Sequence, residues 1–239
     1  MIVAIMQPYF FPYLGYWQLI RAVDSFILFD DAQYMRHGWV NRNRILKPGP
    51  GWQYIIAPLE KHHREAVMSD VMVKRGTDWK DRILRQLEHY KKKSSHFNET
   101  MDVVSKALYA AGDDRRISAI NMGIVKTVCG YLGIDTRVSL SSEYKFDYSR
   151  VSDPGEWALH MCLQIDADAY VNPISGRSLF DPSKFSAAGV RLSFLESMTC
   201  EYSQKRQYEP GLSVIDSLMF IGVEGTRTLL DQYTVTTAT

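Results

Sequence analysis

Residues 2–31 read IVAIMQPYFFPYLGYWQLIRAVDSFILFDD, and this stretch decides the fold class. Residues 2–6 are a short apolar run, rich in β-branched side chains, that stops at Gln7-Pro8. A residue before proline is held in extended backbone, so the run reads as a buried strand entering a loop. From Gly15 the segment YWQLIRAV has the apolar spacing of a helix, and SFILFD after Asp24 is a second buried strand. A strand, loop, helix and strand in that order predict a parallel pair joined by a right-handed crossover. Asp30 and Asp31 then fall at the carboxyl end of the second strand.

The chain beyond this unit keeps alternating. Up to about Pro58, Gly38, Pro48, Gly49, Pro50 and Gly51 surround WQYIIAPL and predict long loops with one short strand. In TDWKDRILRQLEHYKK, Trp79, Ile83, Leu87 and Tyr90 recur at steps of three or four, with Thr77 placed to cap the first turn. Residues 97–111 and RRISAINMGIVKTVCGYLGI repeat the period, and Gly133 closes the latter helix. The expected organisation is one α/β domain over 1–239 with a helical subdomain at about 77–132. DTRVSLSS returns to strand character. Asp153, Pro154 and Glu156 then mark a helix start with Asp153 as N-cap. ADAYVN is a short strand, SGRSLFDP a loop, PSKFSAAG a helical turn and VRLSFLE another strand. LSVIDSLMFIG is the final helix, and the tail TVTTAT reads as a frayed end.

Composition bounds the function. A chain of 239 residues with 46% hydrophobic and 23% charged residues can bury a substantial core. Its 28 basic and 27 acidic residues leave a net charge of +1, so no overall field favours nucleic acid or an anionic membrane, and any basic site must be local. Cys129, Cys162 and Cys200 are odd in number and widely spaced, which argues against a disulfide framework or structural zinc and fits a reducing cytoplasm. MIVAIM is too short for a signal peptide or a span, and no later stretch reaches the length of a membrane helix. No G-x-S-x-G, P-loop or H-E-x-x-H occurs, and the histidines form no ligand set, so neither a cofactor nor a metal is expected.

The densest chemistry is DDAQYMRHGWVNRNRI, residues 30–45, which reads as a loop after a buried strand. Loops at the carboxyl ends of parallel strands are where α/β proteins bind ligands. Asp30, Asp31, Gln33, His37, Trp39, Asn41, Arg42, Asn43 and Arg44 are the candidate site residues, with planar donors for phosphate or carboxylate and a ring for stacking. QPYFFPYLGYW supplies a neighbouring aromatic wall, in which Gln7 and Tyr9 are the binding candidates and Phe10, Phe11 and Trp17 fit a core plug better. NPISGRSLFD offers Ser175 and Gly176 as a tight turn and Arg177 as an anion contact, although an ordinary turn explains it equally well. Lys205, Arg206 and Tyr208 line a cleft or face solvent, KHHRE and HYKKK read as solvated faces, and Cys162 fits a core position better than a nucleophile.

Four separated motifs, MQPYFFPYLGYWQLI, VDSFILFDDAQY, WVNRNRI and YEPGLSVIDSL, together resemble the WbqC-like proteins over residues 1 to about 222. That family usually carries a glycine-rich S-G-x-G-G turn where this chain has SGRSLFD. The resemblance implies a place in bacterial gene clusters for surface polysaccharide, such as O-antigen, or other specialised products, modifying amino sugars. It suggests transfer of an acyl or aminoacyl group, with a carrier-protein thioester as one donor, to the amine of a nucleotide-linked sugar. Aminolysis of this kind needs a base, for which the candidates are Asp30, Asp31 and His37, and donors to orient the carbonyl, for which they are Asn41, Asn43 and Gln7, with Arg42 and Arg44 on the diphosphate. The opening unit is also similar in shape to nucleotidyltransferases of the HIGH superfamily, which implies a Rossmann-like parallel sheet with a helical insertion. Their histidine signature is replaced here by Tyr13-Leu14-Gly15-Tyr16, which removes the groups that would neutralise developing phosphate charge. A noncatalytic module binding a sugar nucleotide or carrier protein is the third reading.

Overall fold

The computed structural model describes residues 1–198 and 201–238. The strand β1 (Ile2–Met6), the helix α1 (Leu14–Arg21) and the strand β2 (Ser25–Leu28) form the opening unit. A hairpin of β3 (Arg42–Leu46) and β4 (Trp52–Ile56) follows, then α2 (Trp79–Leu87), α3 (Phe97–Tyr109) and α4 (Ile117–Leu132). The chain continues through β5 (Arg137–Leu140), α5 (Glu156–Gln164), β6 (Ala169–Pro173), α6 (Pro182–Ala187), β7 (Arg191–Ser197), α7 (Val214–Leu230) and β8 (Tyr233–Thr237).

Six strands form one sheet in the order β5-β2-β1-β6-β7-β8. All pairings are parallel except β7 with β8. The sheet grows one way from β1 to β5, then reverses and grows the other way from β6 to β8. Both faces are covered, which is why the first two strands read as unbroken apolar runs. Ala4, Phe26, Leu28, Val171 and Leu195 face α1, α4 and α7. Val3, Ile5, Ile27, Tyr170 and Phe194 face α5 and α6. A third cluster joins the inner face of the hairpin to α2, α3, α4 and α7, with Phe10 and Phe11 at its centre. Both phenylalanines and Trp17 are fully buried, as a plug should be.

Four expectations are corrected. Residues 42–46 are a strand rather than loop, paired in register from Arg42 with Ile56 to Leu46 with Trp52. The tail is not frayed: its backbone extends the sheet as β8, although its side chains are largely exposed. Thr77 does not cap α2, which begins after Asp78 without a side-chain cap bond. Asp153 does make an N-cap's bond, accepting from the amide of Gly155 in the turn that leads into α5, and it also pairs with Lys184. The helix read as LSVIDSLMFIG does break at Gly222, at φ 66°, but a second helical segment, absent from that reading, follows it to Leu230. Gly133 does close α4, in the left-handed conformation at φ 63°. Cys200 lies outside the described residues, while Cys129 and Cys162 are buried and free, with burial pushing each thiol up to about 12.

Candidate functional site

The candidate residues separate into three places. Gln7 and Tyr9 follow β1, and Ser175, Gly176 and Arg177 follow β6, so they flank the point where the strand order reverses. Ligands of open α/β sheets collect at such a reversal. Here the local bonds are internal. The Gln7 carbonyl accepts from the Tyr16 hydroxyl at 2.8 Å, and Tyr9 stacks on Tyr16 with ring centroids 5.4 Å apart. Burial, then the nearby Tyr13, raise the Tyr9 pKa above the ordinary tyrosine range. A Cβ on Gly176 would lie 2.3 Å from the Asn172 side-chain amide, which would have to shift to make room. Arg177 is exposed and rests over the Phe194 ring at 5.4 Å.

Asp30 and Asp31 stand at the end of β2 and face the turn after β5. Asp30 is fully buried; its carboxylate accepts from the Ser141 hydroxyl at 3.1 Å and from the amide and hydroxyl of Ser142 at 3.0 and 2.9 Å. Asp31 accepts from the Tyr148 hydroxyl at 2.7 Å. Burial first, and the Asp31 bond second, raise the Tyr148 pKa. These two acids tie β2 to the segment after β5.

Two asparagines have comparable structural partners. Asn43, on the inner face of the hairpin, donates to the carbonyls of Phe10 and Phe11 at 3.0 and 2.9 Å and accepts from the Arg44 amide at 2.8 Å. Asn41 donates to the Ala57 carbonyl and accepts from Tyr34. Gln33 donates to the Arg64 carbonyl at 2.9 Å.

The third place gathers charge. An open groove of about 590 Å³ lies beside the hairpin, with Tyr34, Ile56 and Leu59 among its walls. Arg36, His37 and Arg42 enter it from the loop and β3, and Lys61, His62 and Lys74 from the chain after β4. Its one acid, Glu60, is held at 2.6 Å by Arg115. The nearly neutral chain therefore concentrates positive potential in one concave place, where field lines are focused. His37 sits at φ 66°, and its carbonyl accepts from Arg42, whose Nε donates to Gly38 at 3.3 Å. The His62 ring meets Tyr34 edge to face at 4.9 Å.

The outer face of the hairpin continues the groove as a run of stacked cations and rings. Arg42 lies 4.4 Å above the Tyr54 ring, and Arg44 lies 5.2 Å from both Trp39 and Trp52. Strand alternation produces this run, because Arg42 and Arg44 share one face while Asn43 and Ile45 share the other. Arg44 also donates to the Gly211 carbonyl at 3.1 Å.

Of the sequence candidates, His37, Asn41 and Arg42 line the groove, with Trp39 and Arg44 alongside it. Lys61, His62, Lys74 and Tyr54 were missed, since KHHRE carries no periodic signal that separates a groove wall from a solvated face. Among the described residues, no three His, Cys, Asp or Glu are placed to hold a metal, and no helix is long and apolar enough to cross a membrane.

Comparison with known proteins agrees with the four motifs. The WbqC-like protein family matches residues 7–228, and the chain belongs to it. It is 33% identical over 229 residues to the uncharacterized protein Rv1507c of Mycobacterium tuberculosis, covering 93% of this chain and 94% of that one. No solved structure matches significantly.

Proposed function

We propose that this WbqC-like family member binds a nucleotide-linked amino sugar in the hairpin groove and transfers an acyl or aminoacyl group to its amine from a carrier-protein thioester. The observation that carries the reading is the set of six basic side chains in one groove whose single acid is already paired. A diphosphate is the ligand chemistry that such a set favours, with Arg42, Lys61 and Lys74 as its contacts. The half-buried rings of Trp39 and Tyr54, each already beside a guanidinium, suit the edge of a base or sugar. We read the sheet as Rossmann-like, because its strand order is that of doubly wound nucleotide-binding folds. A nucleotide-sugar pathway also places the protein in the cytoplasm.

In this reading the base is His37, the candidate that lies in the groove; Asp30 and Asp31 do not line it, and their carboxylates are already bonded. The amine nitrogen attacks the thioester carbonyl carbon, a C–N bond forms, and the C–S bond breaks with its electron pair leaving on sulfur. The amine proton passes to the His37 imidazole and then to the departing thiolate.

The bonded carboxylates also favour a second reading, a binding module without turnover. Incubation with a nucleotide-linked amino sugar and acyl-loaded carrier protein separates them, with mass spectrometry reading the amide product. Product formation that falls about 100-fold in His37→Ala supports transfer, on the usual size of general-base effects. Groove-dependent binding, lost in Arg42→Ala, with no product supports the module. Absence of sugar-nucleotide binding by the wild type overturns both.

A further inference from the structure

At the tip of the hairpin, away from the groove, is a second cavity of about 320 Å³. Its apolar surface comes from Leu46, Tyr90 and Phe220, all buried, with Tyr90 and Phe220 meeting edge to face at 5.7 Å. Around it stand Lys47, Lys92, Lys93 and Arg206, and no carboxylate shares the lining. Arg206 is fixed in place: it donates to the carbonyls of Lys47, Gly49 and Gly51 at 3.2, 2.6 and 2.6 Å. Its charge is held at the rim while its hydrogen bonds shape the turn over residues 47–51. His89 adds a polar point inside. Its Nδ1 is 2.7 Å from the Gln86 carbonyl, while Nε2 is buried without a hydrogen-bond partner.

A solvated lysine face does not by itself come with an apolar hole beneath it. We propose that this cavity is a second binding site, for a slender amphiphilic anion whose apolar body fills the Leu46, Tyr90 and Phe220 surface and whose phosphate or carboxylate sits among Lys47, Lys92 and Lys93. The site is independent of the sugar-nucleotide reading, since none of its residues lines the groove. It also gives a role to the HYKKK stretch, which patterning alone leaves as solvated charge.

The test is calorimetry on the full chain with four probes: decyl phosphate, decanoate, decanol and inorganic phosphate. Decyl phosphate binds, and at least about tenfold more tightly than decanol or inorganic phosphate, because both parts of the site contribute. Decanoate matching decyl phosphate identifies a carboxylate site; weaker decanoate identifies a phosphate site. The double variant Lys92→Glu, Lys93→Glu, on two exposed residues, weakens decyl phosphate about tenfold or more, and Lys92→Gln, Lys93→Gln weakens it less. Arg42→Ala leaves it unchanged, whatever becomes of sugar-nucleotide binding. The proposal is overturned if decyl phosphate does not bind, if decanol or inorganic phosphate binds as tightly, or if the lysine variants bind like the wild type.

Discussion

Asp216 should make the stability of this protein fall as pH rises through the weakly acidic range. It sits in the first turn of α7 with its carboxyl fully buried, and burial pushes it up to about 6. Three donors oppose that shift: the hydroxyls of Tyr90 and Tyr202 at 2.6 and 2.8 Å and the Gln204 amide at 2.9 Å. Burial wins, so the native state favours the protonated acid. An unfolded aspartate titrates near 3.9. Because the folded value is raised, the stability contribution is whole below about pH 4 and is lost as pH climbs through 6. A gap of about two pH units corresponds to roughly 3 kcal/mol lost by pH 7. Asp216→Asn cannot ionise and keeps an acceptor for the ring of donors. The assay is urea unfolding of both proteins at intervals between about pH 4 and pH 7, plotted as the difference in unfolding free energy so that every other titrating group cancels. The wild type should lose about 3 kcal/mol relative to the variant across that window. A difference that stays level within about 0.5 kcal/mol would show that the three donors fully compensate burial and would refute the reasoning.

Asn43→Ala strands the carbonyls of Phe10 and Phe11 in a dry core and should cost about 2–4 kcal/mol in urea unfolding; a cost below about 1 kcal/mol would mean that the loop relaxes onto other donors. Gly222→Ala places a methyl about 2.7 Å from the His96 ring at a backbone conformation open almost only to glycine, so a loss of at least about 2 kcal/mol is expected, visible as a lowered unfolding midpoint.

The legible parts of the fold were those whose environment is uniform. β1 and β2 are buried on both faces, so their sequences are continuous apolar runs, and α3 and α4 keep a single period along their lengths. The second strand of the hairpin was legible in WQYIIAPL, but the first was not, because its inner face uses Asn43 where a strand pattern expects an apolar residue. That asparagine is there to satisfy backbone, a requirement set by residues 10 and 11 and invisible locally. β8 was missed for the opposite reason: an exposed edge strand needs no hydrophobic alternation, and only the β-branched character of Thr234–Thr237 hinted at it. The same logic sorts the candidate residues. Short polar side chains near a strand end, such as Asp30, Asn41 and Asn43, look like ligand donors in sequence but are the residues best able to close buried backbone and hydroxyl bonds. The longer cations Arg36, Arg42, Lys61 and Lys74 collect at the groove instead.

The aromatic loop also bears on why the groove stands apart from the strand reversal. In doubly wound folds the first strand leads through a glycine-rich turn whose free amides meet phosphate at the start of the first helix. Here that connection is Gln7-Pro8-Tyr9-Phe10-Phe11-Pro12-Tyr13, and its carbonyls are used from inside the molecule. Pro8 accepts from Asn121, Phe10 and Phe11 from Asn43, and Pro12 from both the Trp17 indole and the Val214 amide. The loop thereby fastens the hairpin, α4 and α7 to the sheet. At the helix start the Tyr16 amide is bonded to Tyr13, and a Cβ on Gly15 would lie 2.9 Å from the Tyr13 ring. A phosphate at this turn would have to displace a plug that holds three elements together. The cations of the hairpin groove need no such displacement, which is why we propose the anion's site there, on the insertion between β2 and β5.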